Sequence, residues 1–367
     1  MRYFLTIGLL LGCLSGWAQS GAFTVSGRVL QAGSNEPMAN ASVFAEHTTF
    51  GTMTDAQGNF QLVLPNGGYE LAVTFTGYQS ESKRISSADG AQQSLSFALR
   101  PKEKEMEAVA VTASNEVKDG WEKYGSFFLE QFIGKSANSA YCKLENPAVL
   151  KFYYSKKRNR LKVLCDETLL IENKALGYRI RYSLDSFVHE YNSGLSQYTG
   201  FPLFEELPAG GENDVVAVEK ARATAFHGSI LHFMRSVYQQ QLRPQGFDVQ
   251  FIVKVNEKDS AIRVRDYYAA LNYQMEDSSR TVSIRPNQQE VGVLYTKEKP
   301  EATYTEANPD EPSKFQFSVL VFPPATAIYI EPNGFYYDQS DLLIRDYWTW
   351  EKIADMLPYD YKSNEQP

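Results

Sequence analysis

The sequence predicts a mainly β, α+β protein in two parts: a small β-sandwich, followed by a larger α+β unit with mostly antiparallel sheet. Three observations carry this expectation. At 367 residues the chain exceeds the usual single core and points to two domains of roughly 100–200 residues. Apolar–polar alternation, the period of a half-buried strand, recurs from Phe23 to Arg100 in short runs separated by turn residues. Beyond Gly120, runs with helical spacing are interleaved with further strand-like runs.

The opening "MRYFLTIGLLLGCLSGWAQS" has a basic start at Arg2, an apolar stretch from Tyr3 to Leu14, and small residues at Gly16 and Ala18 before Gln19. This is a secretory signal pattern, assigned to residues 1–19, with the mature chain starting at Gln19 or Ser20. The alternative is a lipoprotein signal, because Gly12 directly precedes Cys13 in "LLGC". No later stretch reaches the roughly 18 apolar residues of a membrane-spanning helix. The expected location is therefore outside the cytoplasm: the periplasm, or the periphery or surface of an outer membrane.

From residue 21 to 100, "FTVSGRVLQ", "NASVFAEHT", "FGTMTD", "GNFQLVLP", "GGYELAVTFTGYQSESKRI" and "QSLSFALRP" alternate and are punctuated at the short intervals of an all-β sandwich. Residues 101–119, with "KEKEMEAVAVTASNEVK", turn charged and small and read as a linker able to add an edge strand. The second domain is assigned to 120–361. In "DGWEKYGSFFLEQFIG", Trp121, Tyr124, Phe128, Phe132 and Ile133 fall near helical spacing, and Gly134 is placed as a stop. Strands are expected in "AVLKFYYS", "RLKVLCD", "TLLIEN", "GYRIRYSLDSFVHEY", "FDVQFIVKV", "TVSIRP", "EVGVLYTK", "KFQFSVLVF" and "AIYIEPNGFYYD". "ARATAFHGSILHFMRSVYQQQL" reads as a helix or a helix with a broken start, and "YWTWEKIADML" as a closing helix.

Composition excludes some partners. The formal charge of −8 repels a phosphate backbone on average, so nucleic acid is not an expected partner. Aromatic residues are abundant, at 13%, and serve half-buried strands or stacking surfaces alike.

The segment "VSGRVLQAGSNEPMANASVFAEHTTFGTMTDAQGNFQLVLPNGGYELAVTFTGYQS" resembles the carboxypeptidase regulatory-like domain of exported Bacteroidetes proteins, through Gly27, Pro37, Ala41, Val43, Gly51, Thr54, Asp55, Gly58, Phe60, Leu64, Tyr69, Leu71, Gly77 and Tyr78. The resemblance implies a transthyretin-like β-sandwich. The same domain precedes the plug of TonB-dependent receptors, and "MEAVAVTAS" from Met106 resembles the segment that follows it there. The remaining chain is too short for a plug and a 22-stranded barrel, whose strands need about ten residues each. "CKLENPAVLKFYY", "PLFEEL", "FHGSILHFMRSVYQQQLRPQGF" and "WEKIADMLPYDY" resemble the uncharacterised portion that follows the domain in short exported Bacteroidetes proteins. That resemblance implies no activity. The family name refers to zinc carboxypeptidases, which hold their metal with an HxxE pair and a distant His. None of His47, His189, His227 or His232 has Glu three residues later.

Candidate sites follow from residue chemistry. "TDAQGNF" offers one carboxylate, Asp55, where an EF-hand loop needs several oxygen ligands and a late Glu, so Asp55 and Gly58 read as a tight turn. Tyr78 after Gly77 reads as a corner tyrosine bonded to backbone. Cys142 and Cys165, the two cysteines of the mature chain, form a disulfide or remain two buried thiols. No CxxC is present for a redox or zinc motif.

"HGSILH" sets His227 and His232 five residues apart around Ser229, the weak catalytic candidates. On a continuous helix the two rings diverge by roughly 140°, so they share a metal only if the helix begins between them. Ser229 lacks the second glycine of a GxSxG elbow. His189 and Glu190 read as an exposed strand end. Tyr337, Trp348 and Trp350 are the binding candidates, as a platform for a sugar face or a partner protein, or else as core. No metal or other cofactor is expected.

Three function classes follow: a non-catalytic binding or assembly protein of the cell envelope, with a glycan, peptide or envelope-protein ligand; a hydrolase or peptidase-like enzyme centred on His227, Ser229 and His232; or a purely structural component associated with the outer membrane. Oligomeric state has no signature in the sequence.

Overall fold

The structure, a computed structural model, describes residues 21–102, 115–208, 210–337, 339 and 342–363. The signal segment with Cys13, and linker residues 103–114, lie outside the described residues.

Seven strands build the first unit: β1 (Ala22–Gln31), β2 (Ser42–Ala45), β3 (Gly51–Met53), β4 (Asn59–Pro65), β5 (Gly68–Thr74), β6 (Glu81–Ser86) and β7 (Gln92–Leu99). They form two packed sheets, ordered β4-β1-β7 and β3-β2-β5-β6. Every pairing is antiparallel except β1 with β7. Alternation sets the sidedness: on β4, Phe60, Leu62 and Leu64 are buried while Asn59, Gln61 and Val63 are exposed. They meet Val25, Val29, Val43, Leu71, Val73 and Phe97 in a core of their own.

The Asp55 turn is structural. Its Oδ1 accepts the backbone N–H groups of Gln57 (2.9 Å) and Asn59 (2.8 Å). The Asn59 N–H, foremost among these donors, holds the Asp55 carboxyl below the usual carboxylate range. Gly58 sits at φ +76°, and a Cβ there would lie 2.5 Å from the Val29 carbonyl. Gly77 turns the chain at φ +83°. The Tyr78 hydroxyl, expected to bond backbone, donates instead to the Gln31 side chain at 3.0 Å. It is Tyr69 that bonds backbone, at the Pro65 carbonyl (3.1 Å).

The rest of the described chain is built on two further hydrophobic clusters. The first takes helix α1 (Gly120–Phe132) and strands β8 (Cys142–Leu144), β9 (Leu150–Ser155), β10 (Arg160–Cys165), β11 (Leu169–Asn173), β12 (Tyr178–Glu190) and β13 (Leu195–Glu206). The face of α1 that carries Phe128 and Phe132 packs on Phe152, Tyr182 and Phe187. At the end of the linker, Glu116 bridges to Tyr153 of β9.

β13 lines one edge of β12 for its whole length, while β11 and β10 share the other edge. β13 contains Pro202, which cannot donate to a ladder. The position is tolerated because Pro202 and Phe204 turn their backbone outward, where the Pro202 carbonyl accepts from His47 and the Phe204 N–H donates to Thr48.

Helix α2 (Glu212–Phe226) ends on the first cluster through Ala225 and Phe226, the second cluster joins helices α3 (Ile230–Tyr238), α4 (Leu242–Gln245) and α5 (Tyr267–Ala270) to strands of two sheets, and a short helix α6 (Ala302–Ala307) lies outside both. β14 (Phe247–Val255), β15 (Lys258–Arg263), β18 (Glu290–Tyr295), β19 (Gln316–Val321) and β21 (Leu343–Asp346) form a five-stranded sheet, and β16 (Gln274–Glu276), β17 (Thr281–Ile284) and β20 (Ile328–Ile330) a three-stranded one. α3 buries Phe233, Met234 and Val237 against them. The expected closing helix does not form. Its place is taken by single 3-10 turns at Tyr347–Thr349 and Ile353–Asp355, because the Trp348 indole N–H reaches back to the Gly228 carbonyl (2.7 Å) and that of Trp350 to Glu301 (3.1 Å). Tertiary partners override helical propensity here.

The sandwich is seated on both later clusters. Thr48 bridges to Leu203, and Tyr359 donates its backbone N–H to the His47 carbonyl. Asp360 accepts from the Thr49 backbone (2.9 Å) and hydroxyl (2.5 Å). On the far side, Asn333 donates to the Gly68 carbonyl (3.1 Å), and the Arg84 guanidinium lies 4.0 Å from the centre of the Tyr337 ring.

Candidate binding site

The helix does begin between the two histidines, as the metal argument requires. α2 ends at Phe226, Gly228 turns at φ +80°, and Ser229 caps α3. The rings of His227 and His232 therefore come to 5.7 Å, centre to centre. The polar atoms of His232 and Ser229 are committed within the break. His232 Nδ1 accepts the Gly228 N–H (3.1 Å), so its proton sits on Nε2 and donates to the Gln245 side-chain Oε1 (3.0 Å). Burial pushes the His232 imidazole down to about 4, so it stays neutral. The Ser229 hydroxyl donates to the Phe226 carbonyl (2.7 Å) and accepts the His232 N–H (3.2 Å). "HGSILH" is thus a helix break stapled by its own side chains. Among the described residues no group of three His, Cys, Asp or Glu is placed to hold a metal ion.

His189, expected at an exposed end, is buried: its Nδ1 meets the Ser196 hydroxyl at 2.8 Å, and Phe127 and Tyr191 flank the ring. Cys142 and Cys165 are free thiols and form no disulfide. They hydrogen-bond different carbonyls, those of Asn138 and Leu184, and burial pushes them up to about 12 and about 11.

The aromatic candidates separate. Trp348 is core, against Phe233. Tyr337 is buried with its hydroxyl on Glu331 (2.5 Å). Trp350 is half-buried and lines a cavity of about 320 Å³ with Tyr304, Glu311, Asp346 and Lys352. Two residues apart on an irregular segment, the tryptophans face opposite ways.

The larger cleft is one that sequence reasoning missed. It lies between the outer face of sheet β3-β2-β5-β6 and the outer face of β12–β13, and holds about 430 Å³. Both walls follow from strand alternation: Val43 and Val73 point into the sandwich core, so Ser42, Phe44 and Thr74 point out, and on the opposing sheet Arg181, Ser183, Leu203 and Glu205 do the same. The sheets converge where Gly51 approaches Leu203, at a would-be Cβ distance of 3.3 Å. From there the cleft widens between hydroxyl-bearing walls, with Ser42, Thr52, Thr74, Thr76, Thr168 and Ser183 among them. Phe44 and Leu203 make an apolar floor, and Met53, 59% exposed, stands at the edge strand. Charge lies at the rim, in Lys102, Asp166 and the Arg181–Glu205 pair (3.3 Å). No motif announces the cleft, because it exists only after two sequence-distant sheets dock.

Two further residues hold the frame. Arg235 donates Nε to the Asn333 carbonyl and its two terminal nitrogens to the carbonyls of Tyr361 and Tyr359, each at 2.9 Å. One planar guanidinium thus ties α3 to the chain end. Glu331, 2% exposed, accepts from Tyr337 and from Thr281 (3.3 Å), directly beneath Gly68 of the sandwich.

Comparison with known proteins agrees with the reading of the first unit. Residues 25–111 match the family model of the CarboxypepD_reg-like domain. No curated protein matches the chain in sequence. Similar solved structures include a DUF3823 family protein from Bacteroides ovatus ATCC 8483, 11% identical over 52% of this chain and 83% of that one, with a TM-score of 0.18. A DUF3823 family protein from Parabacteroides merdae ATCC 43184 is 10% identical over 54% and 86%, with a TM-score of 0.19. The 3-chlorocatechol 1,2-dioxygenase from Rhodococcus opacus 1CP is 11% identical over 22% of this chain, with a TM-score of 0.19, and this chain spans 60% of its length.

Proposed function

We propose that the protein is an exported, non-catalytic binding protein of the cell envelope, which holds an extended segment of a partner polypeptide in the cleft between the sandwich and β12–β13. The observation that carries this reading is the cleft itself: about 430 Å³, walled by two docked sheets and lined by hydroxyls. A hydroxyl both donates and accepts, so such walls serve the alternating N–H and C=O groups of an extended main chain. The apolar floor takes one or two side chains, and the mixed rim charges favour a partner of mixed charge over a polyanion. The hydrolase alternative draws no support, since the polar atoms of Ser229 and His232 are engaged in the helix break. Export rests on the pattern of the first 19 residues.

The test is selection of peptides from a displayed library on purified residues 21–367, followed by titration of Ser42→Trp, which fills the cleft from one wall. The expected result is a peptide whose affinity falls roughly tenfold or more, the size of a lost hot spot. Peptides that bind the variant equally well, or turnover of peptide or ester panels that disappears in His232→Ala, would reject the reading.

A further inference from the structure

The Trp350 cavity lies apart from the cleft and shares no lining residue with it. Its volume of about 320 Å³ falls within the ~300–1,000 Å³ of small-molecule sites. Its aromatic wall is fixed. The Trp350 indole N–H donates to Glu301 (3.1 Å), the Tyr304 ring stands edge-on to Trp350 at 5.5 Å, and the Tyr304 hydroxyl donates to Glu311 (2.6 Å). A platform locked at three points loses little entropy when a ligand stacks on it.

The rest of the lining is chemically mixed. The carboxylate of Asp346 and the ammonium of Lys352 both line the cavity, and neither has a hydrogen-bond partner among the described residues. At the rim, Lys135 pairs with Glu130 at 2.8 Å. A carboxylate only accepts and an ammonium only donates, so a neutral ligand that satisfies both must donate and accept, as adjacent hydroxyls do. An anion would meet Glu130, Glu311 and Asp346, and a bare cation would meet Lys135 and Lys352. A purely apolar molecule would leave Asp346 and Lys352 desolvated without partners.

The geometry points to a second binding site, for one ring of a neutral saccharide: the C–H face stacks on Trp350, and neighbouring hydroxyls donate to Asp346 and accept from Lys352. The aromatic face takes the apolar side of the ring, and the flanking charges take its polar edge. No covalent step is involved.

Asp346 supplies a clean test. It sits at φ +68°, ψ −136°, where a residue with a Cβ is strained. Asp346→Gly therefore removes the carboxylate while relieving the backbone, and lost binding cannot be blamed on unfolding. Residues 21–367 are screened against an array of neutral, acidic and amino oligosaccharides, and hits are titrated calorimetrically. The expected result is a neutral glycan whose affinity falls roughly tenfold or more in both Trp350→Ala and Asp346→Gly. The melting temperature of the glycine variant is expected to be unchanged or higher. Ser42→Trp, in the cleft, binds the glycan as the wild type does. An array with no neutral binder at millimolar glycan, binding that survives both substitutions, or stronger binding of acidic or cationic glycans would each overturn the proposal.

Discussion

Replacing Gly68 with Ala is expected to pry the sandwich off its seat. A Cβ at that position would stand 2.4 Å from Glu331 Cγ and from the Tyr337 hydroxyl, and 2.6 Å from Glu331 Cδ. Neither neighbour can yield cheaply. Glu331 is buried and holds the Tyr337 hydroxyl, while Tyr337 lies between Glu331 and the Arg84 guanidinium. Overpacking in such a place costs about 1–3 kcal/mol. Loss of the charged hydrogen bond inside a buried cluster costs about 1.5–3 kcal/mol. The combined expectation is about 3–5 kcal/mol, a large fraction of a typical folding free energy of about 5–15 kcal/mol. Urea unfolding measures the loss. Hydrogen exchange localises it to the amides around Ser86 and Tyr337, with the interior of β1–β4 unaffected. A variant within about 0.5 kcal/mol of wild type, the range of an ordinary surface substitution, with unchanged exchange at these amides, would refute the account of a rigid seat.

His232→Ala is expected to destabilise by about 3–5 kcal/mol, since it leaves a cavity and strips the Gly228 N–H of its acceptor; chemical denaturation checks this. Arg235→Lys keeps the charge but loses the planar fork, and is expected to cost about 2–4 kcal/mol and to open the 358–363 segment to proteolysis. The pH dependence should favour mild acid. Burial pushes Glu298, Asp346 and Asp355 up to about 6 and Glu351 well above the usual range, so the folded state binds more protons than the unfolded one there. The stability that Glu298, Asp346 and Asp355 contribute is fully present below their unfolded values and is lost as pH rises through about 6, and that of Glu351 is lost in the same direction. His232 acts in the opposite sense: lowered to about 4, it contributes stability above 6.5 that is lost as pH falls from 6.5 towards 4. Burial also raises Asp185 and Glu331 and lowers His189; with six raised carboxyls against two lowered imidazoles, the melting temperature is expected to be higher at pH 5.5 than at pH 8. Glu351→Gln should raise it more at pH 8 than at pH 5.5; a flat profile in the wild type would contradict the assignment.

The sandwich could be read from the sequence because its determinants are local. Asp55 caps its own turn, Gly58 takes the positive φ that the turn needs, and alternation in "NFQLVLP" matches the burial of β4 residue by residue. The break at His227–Gly228–Ser229 is equally local, but it separates two helices, and the first runs back to Glu212, beyond the segment expected to be helical. Reading failed where distant segments decide the outcome. β13 is not among the expected strands: Pro202 lacks a ladder donor, and only the approach of His47 and Thr48 gives its outer edge partners. The closing helix was lost to indole hydrogen bonds that reach 120 residues back from Trp348. His189 looked exposed in sequence because Phe127, Tyr191 and Ser196, which bury it, carry no pattern that links them. The cleft, the Arg235 fork and the Glu331 seat share that origin. Each arises between units whose individual patterns are complete without it.

The most direct measurement places a photo-reactive amino acid at Thr52, on the edge strand of the cleft, and identifies by mass spectrometry what it captures when a selected peptide is bound. The account predicts a peptide adduct at residue 52 that is abolished by Ser42→Trp. A peptide that binds fully yet leaves residue 52 unlabelled, or labels it equally in the filled-cleft variant, would contradict the claim that the partner lies between the two sheets.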